Sequence, residues 1–162
     1  MRDQLVELGG GAHALATQIL GNPEDARDAV QDALATVLGR PAAYDAKKGP
    51  LRPWFLRIVR NRCIDLLRRR RPGDDRAADI ADSGHGPEEA AEIAERDLAL
   101  EAALRALTPE QREIVILRDY LDIGYAEIAE VLQIPAGTVM SRLHRARVAL
   151  SKAFRNRHDH TI

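Results

Sequence analysis

The chain has one cysteine, six aromatic residues and no apolar run near the roughly 18 residues that a membrane-spanning helix needs. Each shortage excludes something. A single thiol, Cys63, rules out an internal disulfide framework and suits a reducing compartment. So few aromatic rings argue for an aliphatic, helix-rich core. The N-terminal stretch MRDQLVELGGGAHAL lacks the basic-then-apolar layout of a signal peptide. Catalytic patterns are absent as well. GGGAHAL has no strand before it and makes no nucleotide fingerprint, and no nucleophile stands beside a base. Asp25, Asp28 and Asp32 are spaced for a solvated or partner-binding face, and the terminal His158-Asp159-His160 for a disordered tail. The expectation is a cytoplasmic protein with no membrane contact of its own, no metal, no cofactor and no enzymatic activity.

What is present is charge, sorted by position. A formal net charge of −1 conceals a block of +8 over residues 47–76 and another of +6 over residues 138–158, with acidic sequence between them. Either block alone could be a solvated helix face. Two of them, each on a periodic helix, point to two separate polyanion contacts.

The apolar spacing is helical throughout. A helix ending near Leu20 stops at Gly21. Asn22 then caps a second helix that has Pro23 at its first position and Ala26, Ala29, Val30, Ala33, Leu34 and Val37 on one face. A loop, PAAYDAKKGPLR, precedes a helix from Pro53 to about Arg71. Four arginines, Pro72-Gly73 and a polar acidic run mark a boundary. Periodicity returns near Ile93, and Thr108-Pro109-Glu110-Gln111 reads as a capped helix start. The predicted architecture is all-α, with two small helical domains, residues 1–73 and 94–157, joined by an acidic flexible linker at 74–93 and followed by a disordered tail at 158–162.

Near the C-terminus, Tyr125 to Leu132 and Val139 to Leu150 form two short periodic segments joined by QIPAG, the length of a helix-turn-helix connection. Val139, Leu143, Ala146 and Leu150 fall on one stripe, with Ser141, His144, Arg145 and Val148 opposite and Met140, Arg142 and Arg147 on the flanks. The outward groups suit base edges, and flanking arginines suit phosphates. A basic-faced helical hairpin of any kind can mimic this pattern.

In the first half, Phe55, Leu56, Val59, Cys63, Leu66 and Leu67 form the apolar face of the helix after Pro53. Trp54, Arg57, Asn61, Asp65 and Arg68 lie opposite. A tryptophan beside Arg and Asn, just after a Lys-Lys-Gly loop, has the parts of a single-strand binding site: a ring to stack on, an amide for a base edge and cations for phosphates. The competing reading packs Trp54 under its own loop. Cys63 reads as a buried, inert thiol.

GNPEDARDAVQDAL, YDAKKGPLRPWFLRIVRNRCIDLLRRRR and LTPEQREIVILRDYLDIGYAEIAEVLQIPAGTVMSRLHRARVAL together resemble, in order, regions 2 and 4 of a bacterial sigma factor. The short chain without an intermediate domain is similar to the extracytoplasmic-function (group 4) class. The resemblance implies a promoter-specificity subunit whose partners are the RNA polymerase core, promoter DNA and an anti-sigma factor. Asp28, Gln31 and Asp32 would face the clamp helices of the β′ subunit. Tyr44, Lys47 and Lys48 would lie in the loop that encloses a flipped base of the −10 element, with Trp54, Arg57 and Asn61 holding the melted strand. Thr138, Met140, Ser141, His144 and Arg145 would meet the −35 element, Arg142 and Arg147 would take phosphates, and the helices of 95–120 would meet the β flap.

Four departures stand out. Met140 replaces a usual basic residue, and Gln133 sits where the turn usually has glycine, which predicts a turn of different shape. Gly124 replaces a usual serine cap, and the short glycine-rich N-terminus predicts an abbreviated first helix. Two other readings remain: a LuxR-type helix-turn-helix regulator, and a helical interaction module that does not bind DNA.

Overall fold

The computed structural model describes residues 1–70 and 89–159. Among the described residues there is no strand, and no helix is long and apolar enough to cross a membrane. The helices are α1 (Arg2–Leu20), α2 (Pro23–Gly39), α3 (Leu51–Arg69), α4 (Glu89–Arg105), α5 (Pro109–Val115), α6 (Tyr125–Leu132) and α7 (Ala136–Asp159). Two 3-10 turns, Pro41–Ala43 and Ala46–Lys48, fill the loop before α3, and α5 runs on into a π turn, Ile116–Tyr120.

Local chemistry sets most boundaries. Gly21 takes the left-handed conformation, φ 74°, and its N–H closes α1 on the Thr17 carbonyl. The Asn22 side chain then accepts from the Glu24 and Asp25 amides at 2.8 and 3.2 Å, which opens α2 in a new direction. Thr108 and Gln111 form a reciprocal capping box at the start of α5. The expected apolar faces are the buried ones: Ala26, Ala29, Ala33 and Val37 on α2, Phe55, Leu56, Val59 and Cys63 on α3, and Val139, Leu143 and Ala146 on α7. Leu67, expected on the apolar face of α3, is instead exposed.

Several expectations need correction. The first helix is not abbreviated: α1 spans 19 residues and carries Gly9, Gly10 and Gly11 within it. Burial of Leu5, Ala12, Leu15, Ala16 and Leu20 outweighs the weak helix propensity of three glycines. The helix after the loop begins at Leu51, two residues before Pro53. The acidic linker was expected to reach 93, but α4 already begins at Glu89; residues 74–88 lie outside the described residues. His158 and Asp159, placed in the tail, belong to α7, and 160–162 lie outside the described residues. Gln133 keeps the left-handed turn, φ 54° and ψ 48°, so the helix-turn-helix shape survives without glycine at a local cost of about 1–2 kcal/mol.

The two halves are packed together rather than merely tethered. α3 lies against α6, and α1 against α5 and the π turn. Arg60 of α3 pairs with Glu113 of α5 at 2.7 Å, and Arg52 donates to the Leu121 carbonyl. The Leu121 side chain sits so close to α1 that a Cβ on Gly11 would lie 3.0 Å from it. One continuous apolar cluster includes residues of both halves.

Candidate nucleic-acid interface

Three exposed surfaces carry the residues singled out from the sequence. The first is acidic, on α2. Asp28 and Gln31 point to solvent, while Asp32 binds Arg62 of α3 at 3.0 Å. Two turns earlier Asp25 binds Arg70 at 3.1 Å, and Arg70 also donates to the Leu20 carbonyl. These links tie the end of α1, α2 and the end of α3 around an open cleft of about 400 Å³. Its rim presents carboxylates beside two arginines, a surface suited to a partner that offers charges of both signs.

The second surface is built on the loop before α3. Asp45 accepts from the Lys47 amide at 3.0 Å, which folds the Ala46–Lys48 turn and leaves both lysine side chains exposed. The Tyr44 hydroxyl donates to the Gly49 carbonyl at 3.0 Å and closes the loop across its base. Gly49, at φ 150°, takes a conformation that side-chain-bearing residues rarely adopt. The Tyr44 and Trp54 rings pack tilted, with centroids 5.0 Å apart. Trp54 is therefore not the freely exposed ring that the helical wheel suggested. It is half-buried beneath the loop, and its contact with Tyr44 holds the loop against α3. Arg57 is also half-buried, and Asn61, two turns along α3 from Trp54, is exposed. Together they form a ledge of aromatic, amide and cationic groups that can hold an unpaired nucleotide.

The third surface is α7. Inserting α7 against α5 and α6 buries Val139, Leu143 and Ala146 and turns Met140, Ser141, Arg142, His144 and Arg145 outward. Two hydroxyls are committed to the backbone: Thr138 donates to the Pro135 carbonyl at 2.6 Å and Ser141 to the Thr138 carbonyl at 3.1 Å. Toward a ligand these side chains therefore offer acceptor oxygens. Arg142 and Arg145 border a cleft of about 330 Å³ with Glu110, Gln111 and Ile114 of α5. Arg147, the expected phosphate contact, already has a partner within the chain. It binds Asp119 through two hydrogen bonds, at 2.5 and 3.1 Å, and that partner holds its guanidinium above its usual pKa.

Sequence reasoning missed Asp119, Arg52 and Arg60. Their partners lie 28, 69 and 53 residues away. No periodicity links positions so far apart, and each side chain alone reads as ordinary surface charge.

The chain matches the family model for sigma-70 region 2 over residues 6–72 and that for sigma-70 region 4 over residues 97–150. It is 28% identical over 156 residues to the ECF RNA polymerase sigma factor SigW of Bacillus subtilis, covering 89% of this chain and 83% of the relative. Against the ECF sigma factor SigM of Mycobacterium tuberculosis identity is 34% over 140 residues, covering 86% and 69%. Two solved structures share the arrangement. CnrH in complex with the cytosolic domain of CnrY aligns with TM-score 0.63 at 30% identity, over 93% of this chain and 85% of that one. The sigma factor RpoE of Bartonella quintana, bound to the anti-sigma factor NepR, aligns with TM-score 0.70 at 21% identity over 94% and 95%, a likeness of fold.

Proposed function

The chain belongs to the sigma-70 family of RNA polymerase sigma factors, in the extracytoplasmic-function class, and on that premise we propose how its three surfaces divide the work of initiation. The acidic face of α2, with Asp28, Gln31 and Asp32, docks on the β′ clamp helices of core polymerase. Tyr44, Lys47, Lys48, Trp54, Arg57 and Asn61 take the melted −10 element. Thr138, Met140, Ser141, Arg142, His144 and Arg145 face the −35 element. The two functional units are residues 1–73 and 94–157. The chain works in the cytoplasm and has no catalytic centre of its own.

The observation that carries this reading is the loop-and-ring ledge of α3. A LuxR-type regulator reads duplex DNA with its helix-turn-helix and has no use for an aromatic pair locked under a Lys-Lys turn beside an exposed asparagine. Extruding a base costs a few kcal/mol, and a pre-shaped receptor lowers the ordering cost that binding must still meet. Lys47 and Lys48 hold phosphates, while Asn61 supplies a donor and an acceptor to a base edge.

Run-off transcription with purified core polymerase tests the reading. Specific transcripts are expected only when core and this chain are combined. Asn61→Ala is expected to abolish promoter opening, read by permanganate reactivity of unpaired thymines, while core binding is retained. Tight duplex binding by the chain alone, indifferent to added core, would sink it.

The same reading extends to control. The anti-sigma factor NepR is bound to the sigma factor RpoE in one solved complex, and the cytosolic domain of CnrY to CnrH in the other. We propose that a protein of anti-sigma type likewise holds this chain inactive by occupying surfaces on both halves. Co-expression with the product of a neighbouring gene is expected to yield a stable complex that no longer binds core.

A further inference from the structure

Met140 is the anomaly of the α7 surface. It is 66% exposed, takes no part in the hydrophobic core, and stands among the polar side chains Ser141, Arg142, His144 and Arg145. Val148 is also exposed, but it lies eight residues on, about 12 Å along the helix axis, beyond the N-terminal turns that such a helix presents to a groove. The charge of the helix favours a polyanion: residues 138–158 carry six cationic side chains and no acid, and of these Arg147 is paired with Asp119.

A thioether donates no hydrogen bond and accepts only weakly. Set against the edge of guanine, adenine or cytosine, it would leave a donor or acceptor without its water and without a partner, which is unfavourable. The major groove offers one group that it complements, the C5 methyl of thymine. Its exposed neighbours Ser141, Arg142, His144 and Arg145 end in polar groups, and Thr138, whose methyl is the other apolar group beside it, is only half-exposed. Met140 is unbranched, so it can reach a methyl group lying off the helix axis without backbone adjustment.

We propose that Met140 is a specificity-determining residue that reads the methyl group of a thymine at one position of the −35 element. This rests on the reading that α7 faces that element. Arg142, Arg145 and His144 hold the helix in register, and Met140 selects by apolar contact alone.

The test uses holoenzyme assembled from core polymerase and the full chain. A promoter library randomised across the −35 region first yields the preferred sequence. Each thymine in it is then replaced by uracil, and each site is further compared with cytosine and 5-methylcytosine, so that the methyl group varies independently of the pairing edge. Removing the methyl at one position is expected to weaken wild-type binding about fourfold, the equivalent of about 0.8 kcal/mol per buried apolar carbon. The 5-methylcytosine site is expected to bind more tightly than the cytosine site by a similar factor. In Met140→Ala both ratios are expected to fall to one at that position and to persist elsewhere. In Met140→Lys they also fall to one, while the slope of log affinity against log salt steepens by about 0.9, as for one added phosphate contact. A −35 preference that is blind to the methyl group, or a methyl effect that survives in Met140→Ala, overturns the proposal alone. A holoenzyme with no sequence preference in that region overturns the −35 reading of α7 and the proposal with it.

Discussion

Arg60 on α3 and Glu113 on α5, 53 residues apart in sequence, meet through a 2.7 Å hydrogen-bonded ion pair between the two halves of the chain. Glu113 is 6% exposed, so its carboxylate has little access to water and depends on this guanidinium. Removing one partner leaves the other charge poorly solvated, which costs more than the pair contributes while intact. Arg60→Ala is therefore expected to lower stability by roughly 2–4 kcal/mol. Its radius of gyration should also rise as the halves separate. Urea unfolding and small-angle scattering read these two effects. Reversal of both charges, Arg60→Glu with Glu113→Arg, should recover part of each. An unchanged radius and midpoint in Arg60→Ala would show that the contact does not hold the halves together.

The same carboxylate bears on Cys63. Burial pushes the thiol up from 9.0 to about 12, and Glu113 pushes the same way while Arg62 opposes. The unfolded chain therefore ionises this thiol at lower pH than the folded one. The stability linked to it is complete below about pH 9 and is lost as the pH rises toward 12. At pH 10 the expected loss is about 1 kcal/mol, and that part of the pH dependence should vanish in Cys63→Ala. Native protein at pH 8 should resist alkylation by iodoacetamide and react once unfolded in urea. Rapid alkylation of native chain would show that Cys63 is not shielded.

Asp119 holds Arg147 by two hydrogen bonds, yet both side chains are more than a third exposed. Water screens the pair, so it contributes no more than about 1 kcal/mol to stability. Its larger effect is to occupy a guanidinium beside the α7 surface proposed to face the −35 element. Asp119→Ala is expected to leave the melting temperature nearly unchanged. Promoter binding by holoenzyme should become tighter at low salt, with a slope of log affinity against log salt steeper by up to about 0.9. An unchanged slope would mean that the freed arginine does not reach a phosphate.

Gly9 and Gly10 lie within α1 with open space where a Cβ would stand. Each alanine substitution should stabilise by about 0.5–1 kcal/mol through reduced backbone entropy of the unfolded chain. Gly11 differs, because its added Cβ would lie 3.0 Å from the Leu121 side chain across the contact between halves. Thermal melts of the three single variants are expected to rank Gly9→Ala and Gly10→Ala above wild type and Gly11→Ala below both. Equal gains at all three would mean that Leu121 yields freely.

By itself the sequence determined what depends on near neighbours. Asn22, Gly21 and the Thr108–Gln111 box placed helix ends, and helical spacing identified nearly all of the buried faces. The ordered motifs identified the family, because each sits within one short segment. Only the tertiary structure decided which side chains remain available. It half-buried Trp54 against Tyr44, engaged Arg147 with Asp119, kept Gln133 in a left-handed turn and packed α3 on α6. These outcomes come from contacts between segments distant along the chain, or from core burial that overrides a residue's own preference. Periodicity fixes which face of a helix turns inward, but it holds no record of what another helix brings to the face that turns out.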